Sequence, residues 1–222
     1  MKFTKYVLIS IIALSASAAM AKTTDASNAD TQGHPYIGFE LGTGGLDTPE
    51  GNSISTKNVA ITLFKPDERH QGFGYHLYAG YLFNASNRLS VGPEIGYAMP
   101  TDNTYTATVS PGVLPVSIIY SPSYIDLLAS ANLTVSSRFS MILKVGVASV
   151  TQKIDMALLG HSQGQEIAPE GVIGVAYHVN DNISLTANAD QVFTDGMSEK
   201  DFLNPDEFAS ITTYNVGMTY TL

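Results

Sequence analysis

The amino-acid sequence predicts an all-β protein, an eight-stranded antiparallel up-and-down transmembrane β-barrel with three short periplasmic turns and four long extracellular loops. Three observations lead to this prediction: few charges, apolar alternation within each candidate strand, and connections that alternate in length. Charged residues make up 14% of the 222 residues and hydrophobic residues 44%, whereas soluble proteins carry about 25% charged residues. No run after the N-terminus reaches the roughly 20 apolar residues of a membrane-spanning helix.

The candidate strands are rich in β-branched and aromatic residues and are bounded by Gly, Asn, Asp and Ser. They span residues 36–42, 72–83, 89–98, 124–135, 139–150, 167–179, 183–193 and 209–222. Within each strand an apolar face alternates with a small or polar face; Leu77 and Tyr81 share the first face of one strand, and His76 and Gly80 share the second. A lipid-facing surface must be apolar, and the interior of an eight-stranded barrel is narrow.

The connections between these strands alternate strictly between short and long. The short ones are NASNR, SSR and NDN, and the long ones span residues 43–71, 99–123, 151–166 and 194–208. Membrane barrels show this alternation, with turns on the periplasmic side and loops outside, whereas Greek-key sandwiches do not. Because alternation alone does not say which face is inside, a soluble secreted β-barrel binding protein remains the competing class.

The first 21 residues have the parts of a secretory signal peptide. Lys2 and Lys5 precede an apolar run, and Ala19-Met20-Ala21 forms an A-x-A cleavage pattern. Residues 22–35 are polar and are predicted to form a flexible leader. The predicted organisation is therefore a signal peptide over 1–21, a leader over 22–35 and a barrel over 36–222, which together indicate the outer membrane of a Gram-negative cell.

Composition excludes several functional classes. Asp and Glu number 20 against 11 Lys and Arg, and nucleic-acid binding requires a basic face. The absence of Cys excludes disulfides and thiolate zinc sites. The five His residues lie in different segments, so the sequence predicts no metal site. It also predicts no cofactor and no catalytic residues.

Eight ionisable residues point into the predicted lumen by parity: Glu40, His76, Glu94, Asp126, Lys144, Glu170, His178 and Asp190. Charges in a narrow interior must be paired or solvated. One interpretation is a plug of ion pairs and hydrogen bonds, and the others are a small ion-conducting pore or a catalytic cluster. The plug is favoured, with Lys144 as the single internal amine among carboxylates.

The final stretch, NVGMTYTL, alternates to the end of the sequence and is expected to pair with the first strand, which covers its edge. Asn215, Gly217, Tyr220 and Leu222 resemble the C-terminal assembly signal of outer-membrane barrels, although Leu stands where Phe or Trp is usual. This resemblance implies the barrel-assembly machinery as a partner during biogenesis.

The stretches HPYIGFELGTGG and YHLYAGYLFNASNRLSVGPEIGY resemble strands of the OmpA-type transmembrane barrel family, which also groups with OmpX and Ail. The resemblance covers residues 36–222 and lacks a peptidoglycan-binding domain, so no cell-wall tether is expected. It implies an integral outer-membrane protein with a structural, envelope-integrity or surface-contact role. The implied partners are outer-membrane lipid, lipopolysaccharide and a host or surface ligand at the loops, and the expected state is a monomer.

A lipid-modifying outer-membrane enzyme is a further alternative, because such enzymes share the eight-stranded barrel. The deacylase uses a His and a Ser two residues apart on one strand, but here His161 and Ser162 are adjacent and lie in a predicted loop. A palmitoyltransferase needs an apolar lumen, whereas the lumen predicted here is charged. The enzyme interpretation is therefore disfavoured.

Aromatic residues near strand ends are expected to form two interfacial girdles. The turn-side set is Tyr36, Phe83, Phe139 and Tyr220, and the loop-side set is Phe73, Tyr97, Tyr124 and Phe193. Two long loops stand out. The loop 194–208 is acidic, and the apolar, Pro-rich loop 99–123 is expected to fold over the mouth, extend its flanking strands or bind a partner.

Overall fold

The computed structural model describes residues 33–46, 53–56, 59–64, 73–110, 114–156, 160–194 and 208–222. The predicted signal peptide lies outside the described residues, as does the acidic part of the loop 194–208. The strands are β1 (Gly33–Leu46), β2 (Ser53–Thr56), β3 (Val59–Phe64), β4 (Gly74–Asn84), β5 (Leu89–Met99), β6 (Asn103–Ser110), β7 (Leu114–Thr134), β8 (Phe139–Met156), β9 (Gly160–His178), β10 (Ile183–Val192) and β11 (Ile211–Thr221). Over this part of the chain no helix is long and apolar enough to cross a membrane.

Eight of these strands form a closed antiparallel barrel. Around the barrel the order is β1, β4, β5, β7, β8, β9, β10 and β11, and the β1–β11 and β7–β8 pairings complete the ring. The predicted fold class is therefore confirmed.

The pairing of β1 with β11 joins the two ends of the barrel. Its register runs from Tyr36↔Thr221 to Leu46↔Ile211, and the backbone N–H of Leu222 donates to the carbonyl of Pro35 at 2.9 Å. The final strand is therefore paired on both sides, since β10 flanks it on the other. β1 begins at Gly33, so the last residues of the predicted leader belong to the barrel.

The three short turns share one local design. In each turn the second residue after the strand is Ser86, Ser136 or Asn180, and its side-chain oxygen accepts a backbone N–H two residues later. Ser and Asn favour such turns because their side chains satisfy backbone donors locally. This sequence feature fixes the tight reversals at one end of the barrel, here called the turn end.

Alternation sorts the side chains into an apolar outer face and a polar lumen. Leu143, for example, is 54% exposed on the outside, whereas its neighbours Ile142 and Lys144 are buried. Two aromatic predictions are wrong: Tyr36 and Tyr124 are 4% and 2% exposed and lie inside the barrel, not in a girdle. The reason is parity, because a residue an even number of positions from an inward carboxylate also points inward.

The long connections contain more strand than the sequence predicts. The predicted loop 43–71 holds β2 and β3, and the predicted loop 99–123 holds β6 and the first part of β7. β6 pairs with β7 and β3, and β3 pairs with β2, so a sheet continues beyond the barrel at the loop end. Alternating β-branched residues, as in VAITLF and YTATV, favour strands where backbone partners are available.

The outer face generates a depth-dependent prediction. Leu143→Lys should destabilise the folded barrel by about 2–4 kcal/mol, since it places an ammonium at mid-depth in lipid, whereas a charge near the interface costs about 0–1 kcal/mol. Leu222→Lys, at the turn end, is the matched control. Urea unfolding in lipid vesicles, followed by gel mobility of unboiled samples, measures both, and equal midpoints would contradict the assigned depth.

Candidate functional site

The lumen is filled with side chains that all eight barrel strands contribute. Seven of the eight ionisable residues expected there are buried, each from a different strand: Glu40, His76, Glu94, Asp126, Lys144, Glu170 and Asp190. His178 is partly exposed at the turn end. The structure arranges these residues in three groups, which follow one another along the barrel axis.

The nearest group to the turn end is built on His178. Its Nε2 lies 2.8 Å from Ser140 Oγ and its Nδ1 lies 2.8 Å from Ser184 Oγ. Both ring nitrogens therefore have partners, and the three side chains link β8, β9 and β10 where the turns begin.

The middle group is an ion pair between Lys144 and Glu94. Lys144 Nζ donates to Glu94 Oε1 at 2.7 Å, and Tyr36 Oη donates to Glu94 Oε2 at 2.6 Å. The ammonium also lies 4.2 Å from the centroid of the Tyr78 ring. A buried ion pair is tolerated when both partners are fully hydrogen-bonded, and here both carboxylate oxygens are engaged.

The third group, called the loop-side cluster, consists of Glu40, His76, Asp126, Glu170 and Asp190. Within it, Glu40 Oε1 accepts from Tyr78 Oη at 3.1 Å, Thr186 Oγ1 at 2.9 Å and Asn188 Nδ2 at 2.6 Å. Its second oxygen, Oε2, has no hydrogen-bond partner among the described residues. Three donors from β4 and β10 therefore fix one edge of this carboxylate and leave the other edge facing the lumen.

His76, on β4, is held by the carboxylate of Asp126, on β7. Its Nε2 donates to Asp126 Oδ2 at 3.0 Å, and its Nδ1 lies 3.8 Å from Glu40 Oε2. Gly96 lies on β5, the strand between those of His76 and Asp126, and is required by space, because a Cβ there would collide with His76 Nε2 and the Asp126 carboxylate. The glycine of the EIGY stretch thus makes room for the His–Asp contact.

The two remaining carboxylates of the cluster differ in their surroundings. Asp190 Oδ2 accepts from Thr213 Oγ1 at 3.4 Å and from Asn215 Nδ2. Neither oxygen of Glu170 has a hydrogen-bond partner within the described ranges, and the charges of Asp126 and Asp190 act on it. Among the described residues, the loop-side cluster therefore combines four carboxylates with a single imidazole, while the amine of Lys144 is engaged by Glu94.

An apolar cluster lies above the charges, toward the loop end. Its largest members are Tyr120, Tyr124, Ile154, Phe208 and Ile211, each at most 2% exposed. Phe208 precedes β11 and Tyr120 belongs to the extended part of β7. Packed hydrophobic side chains thus occupy the lumen toward the loop end.

Sequence reasoning did not single out several residues that complete these groups. They are Tyr78, Ser140, Ser184, Thr186, Asn188 and Thr213. Tyr36 and Tyr124 were assigned to the girdles, and Asn215 was singled out only for the assembly signal. Strand parity was the available signal, because each lies an even number of positions from an inward ionisable residue on its own strand or, for β11, continues the inward face.

The outer face carries a depression of about 760 Å³ over β1, β4, β5 and β11. Its lining includes the apolar side chains of Phe39, Leu77, Ile95, Tyr97 and Met218. Small residues at the base of the depression, such as Ala79, leave the space open. An acyl chain is the ligand chemistry that this surface fits, since it offers almost no polar atom.

Two solved structures similar to this chain are outer-membrane barrels or surface proteins. The attachment invasion locus protein Ail of Yersinia pestis aligns with a TM-score of 0.50 and 13% identity, over 86% of this chain and 99% of that chain. Neisserial surface protein A aligns with a TM-score of 0.50 and 16% identity, over 84% of this chain and 96% of that chain. At these identities the likeness shows the fold alone.

A comparison with the curated proteins found no match. A comparison with protein families found one whose model, described as the outer membrane protein beta-barrel domain, matches residues 8–221. This match spans nearly the whole sequence and agrees with the closed antiparallel barrel and its apolar outer face. The chain therefore belongs to the outer-membrane β-barrel family.

Proposed function

We propose that the protein is a closed outer-membrane barrel with a structural and surface-contact role, carried by the strands at its loop end. The observation that carries this proposal is the filled lumen. Side chains of β1, β4, β5 and β8 meet across it at the level of the Glu94–Lys144 pair, and side chains of β5 and of β7 to β11 pack together at the apolar cluster. An eight-stranded barrel has room for such side chains and little else.

The filled lumen argues against the two alternatives. A small ion-conducting pore needs a continuous aqueous path, but Tyr120, Ile154 and Ile211 pack together at the loop end. A lipid-modifying enzyme that holds an acyl chain inside the barrel needs an apolar lumen. Here the middle of the lumen contains buried ionisable residues instead. Both alternatives therefore require rearrangements that the closed barrel does not.

The sheet at the loop end supports surface contact. β7, β8 and β9 run well past the barrel rim, with the register Ile118↔Met156 and Met156↔Gly160 at their far ends. β6, β3 and β2 then add to the edge of β7. Outer-membrane barrels point their long loops outward, so this sheet offers an ordered surface to a host or surface ligand and to lipopolysaccharide.

The ion pair in the lumen yields a stability prediction. Lys144→Met should destabilise the barrel by about 3–5 kcal/mol, because it leaves Glu94 as an uncompensated buried charge. The double variant Lys144→Met, Glu94→Gln should recover most of that loss, since no unpaired charge remains. Urea unfolding in vesicles measures the three proteins, and a double variant no more stable than the single variant would contradict the plug.

The loop-end sheet yields a functional prediction. Thr106 and Ser117 are paired, so residues 107–116 can be replaced by an Asn-Gly turn, which suits a two-residue hairpin. The shortened barrel should still assemble, as unboiled gel mobility reports, but cells carrying it should bind cultured epithelial cells only as well as a deletion strain does.

A matched control lengthens the opposite end of the molecule. Insertion of Gly-Ser in the turn between Val135 and Phe139 leaves the loop-end sheet intact and should leave cell binding at the wild-type level. Wild-type binding by the shortened variant, or no difference between wild type and the deletion strain, would contradict the surface-contact role.

A further inference from the structure

Three side chains of the loop-side cluster converge in the lumen from β1, β4 and β10. One potential ligand atom from each of Glu40, His76 and Asp190 lies within 4.8 Å of those of the other two. All three residues are buried, with at most 3% exposure. Glu40 Oε2, His76 Nδ1 and Asp190 Oδ1 have no hydrogen-bond partner among the residues that the structure describes. Buried polar atoms are normally satisfied, so an unpartnered atom on each of three side chains that come this close together points to a shared ligand.

The other polar atom of each residue is held in place from behind. Glu40 Oε1 accepts three hydrogen bonds, Asp190 Oδ2 accepts from Thr213 and Asn215, and His76 Nε2 donates to Asp126. With Nε2 as the donor to Asp126, a neutral imidazole offers the lone pair of Nδ1 on the side of Glu40 Oε2, 3.8 Å away. A carboxylate that binds one ring nitrogen while the other faces the ligand is the usual arrangement around metal-binding histidines.

The charge balance of the cluster favours a cation. Glu40, Asp126, Glu170 and Asp190 share the loop-side lumen with one imidazole, and Lys144 lies against Glu94 at 2.7 Å. Carboxylates in a low-dielectric interior repel one another unless a positive charge offsets them. A divalent ion between Glu40 and Asp190 would supply that charge where the unpartnered oxygens lie.

We propose that Glu40, His76 and Asp190 bind one divalent first-row transition-metal ion inside the barrel, with Zn²⁺ as the ion that fits best. An imidazole ligand disfavours Mg²⁺ and Ca²⁺, which take oxygen ligands, and suits Zn²⁺. Zn²⁺ holds N and O ligands at about 2.0–2.2 Å, which sets tetrahedral ligand atoms about 3.3 Å apart. The 3.8 Å between His76 Nδ1 and Glu40 Oε2 closes to that value with a small side-chain rotation.

Where a protein supplies three zinc ligands, a water molecule is the usual fourth. A cavity of about 10 Å³, which holds about one water molecule, lies beside His76 toward the loop end and is lined also by Tyr124, Thr213 and Asn215. The site goes beyond the proposed surface role: the ion would tie β1, β4 and β10 together across the lumen.

The sequence did not predict this site because its five His residues lie in separate segments. The barrel instead combines one His with carboxylates from two other strands, each distant in the sequence. Only strand parity together with strand stagger brings them to one level.

The test uses the protein purified from outer membranes in detergent, treated with EDTA, dialysed and titrated with ZnCl₂ as the probe. Elemental analysis after gel filtration should give one Zn²⁺ per folded chain, and Zn²⁺ should raise the unfolding temperature. His76→Gln and Asp190→Asn should abolish both effects. His178→Gln, which removes a lumenal imidazole that contacts Ser140 and Ser184 and lies outside the loop-side cluster, should retain both.

Asp126→Asn distinguishes metal binding from a purely structural role of the cluster. Because Asp126 orients a ligand without being one, its change should weaken Zn²⁺ affinity by about 10- to 100-fold and leave the stoichiometry at saturation unchanged. Unboiled gel mobility verifies that each variant is folded. The proposal is overturned if folded wild-type protein binds no Zn²⁺, or if the folded variants of His76 and Asp190 bind it as wild type does.

Discussion

Closure of the ring by β1 and β11 is the constraint on which the rest of this molecule depends. Within a bilayer no water satisfies backbone N–H and C=O groups, so a sheet can cross the membrane only if its last strand pairs with its first. The register from Tyr36↔Thr221 to Leu46↔Ile211 provides this pairing along the whole height of the barrel. An alternating C-terminal strand would promote aggregation in water, and here it is covered on both edges.

Closure with eight strands sets the width of the lumen, and the width determines its chemistry. Side chains from opposite walls meet, so every inward charge needs a partner within hydrogen-bonding distance. Lys144 and Glu94 satisfy each other, with Tyr36 on the remaining oxygen. Nearer the loop end the described carboxylates exceed the bases, and Glu40, His76 and Asp190 each carry a buried atom with no hydrogen-bond partner among the described residues. The proposed metal ion is thus a consequence of closing a narrow barrel around these residues.

The sequence predicted which residues face inward far better than which of them meet. Parity places Glu40 and Lys144 on the inner face because side chains alternate with a period of two. Their partners depend on strand stagger, which sets the position of each residue along the barrel axis. The sequence of a single strand carries no information on this stagger. The Glu94–Lys144 contact and the grouping of His76 with Asp190 therefore required the structure. Tyr36 and Tyr124 were misassigned because an aromatic residue near a strand end suits both a girdle and a lumen, and only parity separates the two.

The loops were the other limit of prediction. The apolar, Pro-rich segment 99–123 left three outcomes open: folding over the mouth, extending its flanking strands or binding a partner. In the structure β6 and β7 pair through it from Asn103↔Tyr120 to Val109↔Leu114. Strands outside the membrane do not need the length of the barrel strands or their alternation of apolar and polar residues. The alternation that identified the barrel strands therefore does not identify β2, β3 and β6. Partner strands, not local composition, decide their conformation.

Conductance in planar lipid bilayers tests the central claim, a lumen closed by its own side chains, most directly. Purified wild-type protein should insert without opening stable channels, because side chains occupy the lumen at the Glu94–Lys144 level and at the apolar cluster around Tyr120 and Ile211. The variant Lys144→Met, which keeps the lumen filled, should behave in the same way. Stable, cation-selective conductance in the wild-type protein that increases in Lys144→Met would contradict the account and establish the barrel as a small pore.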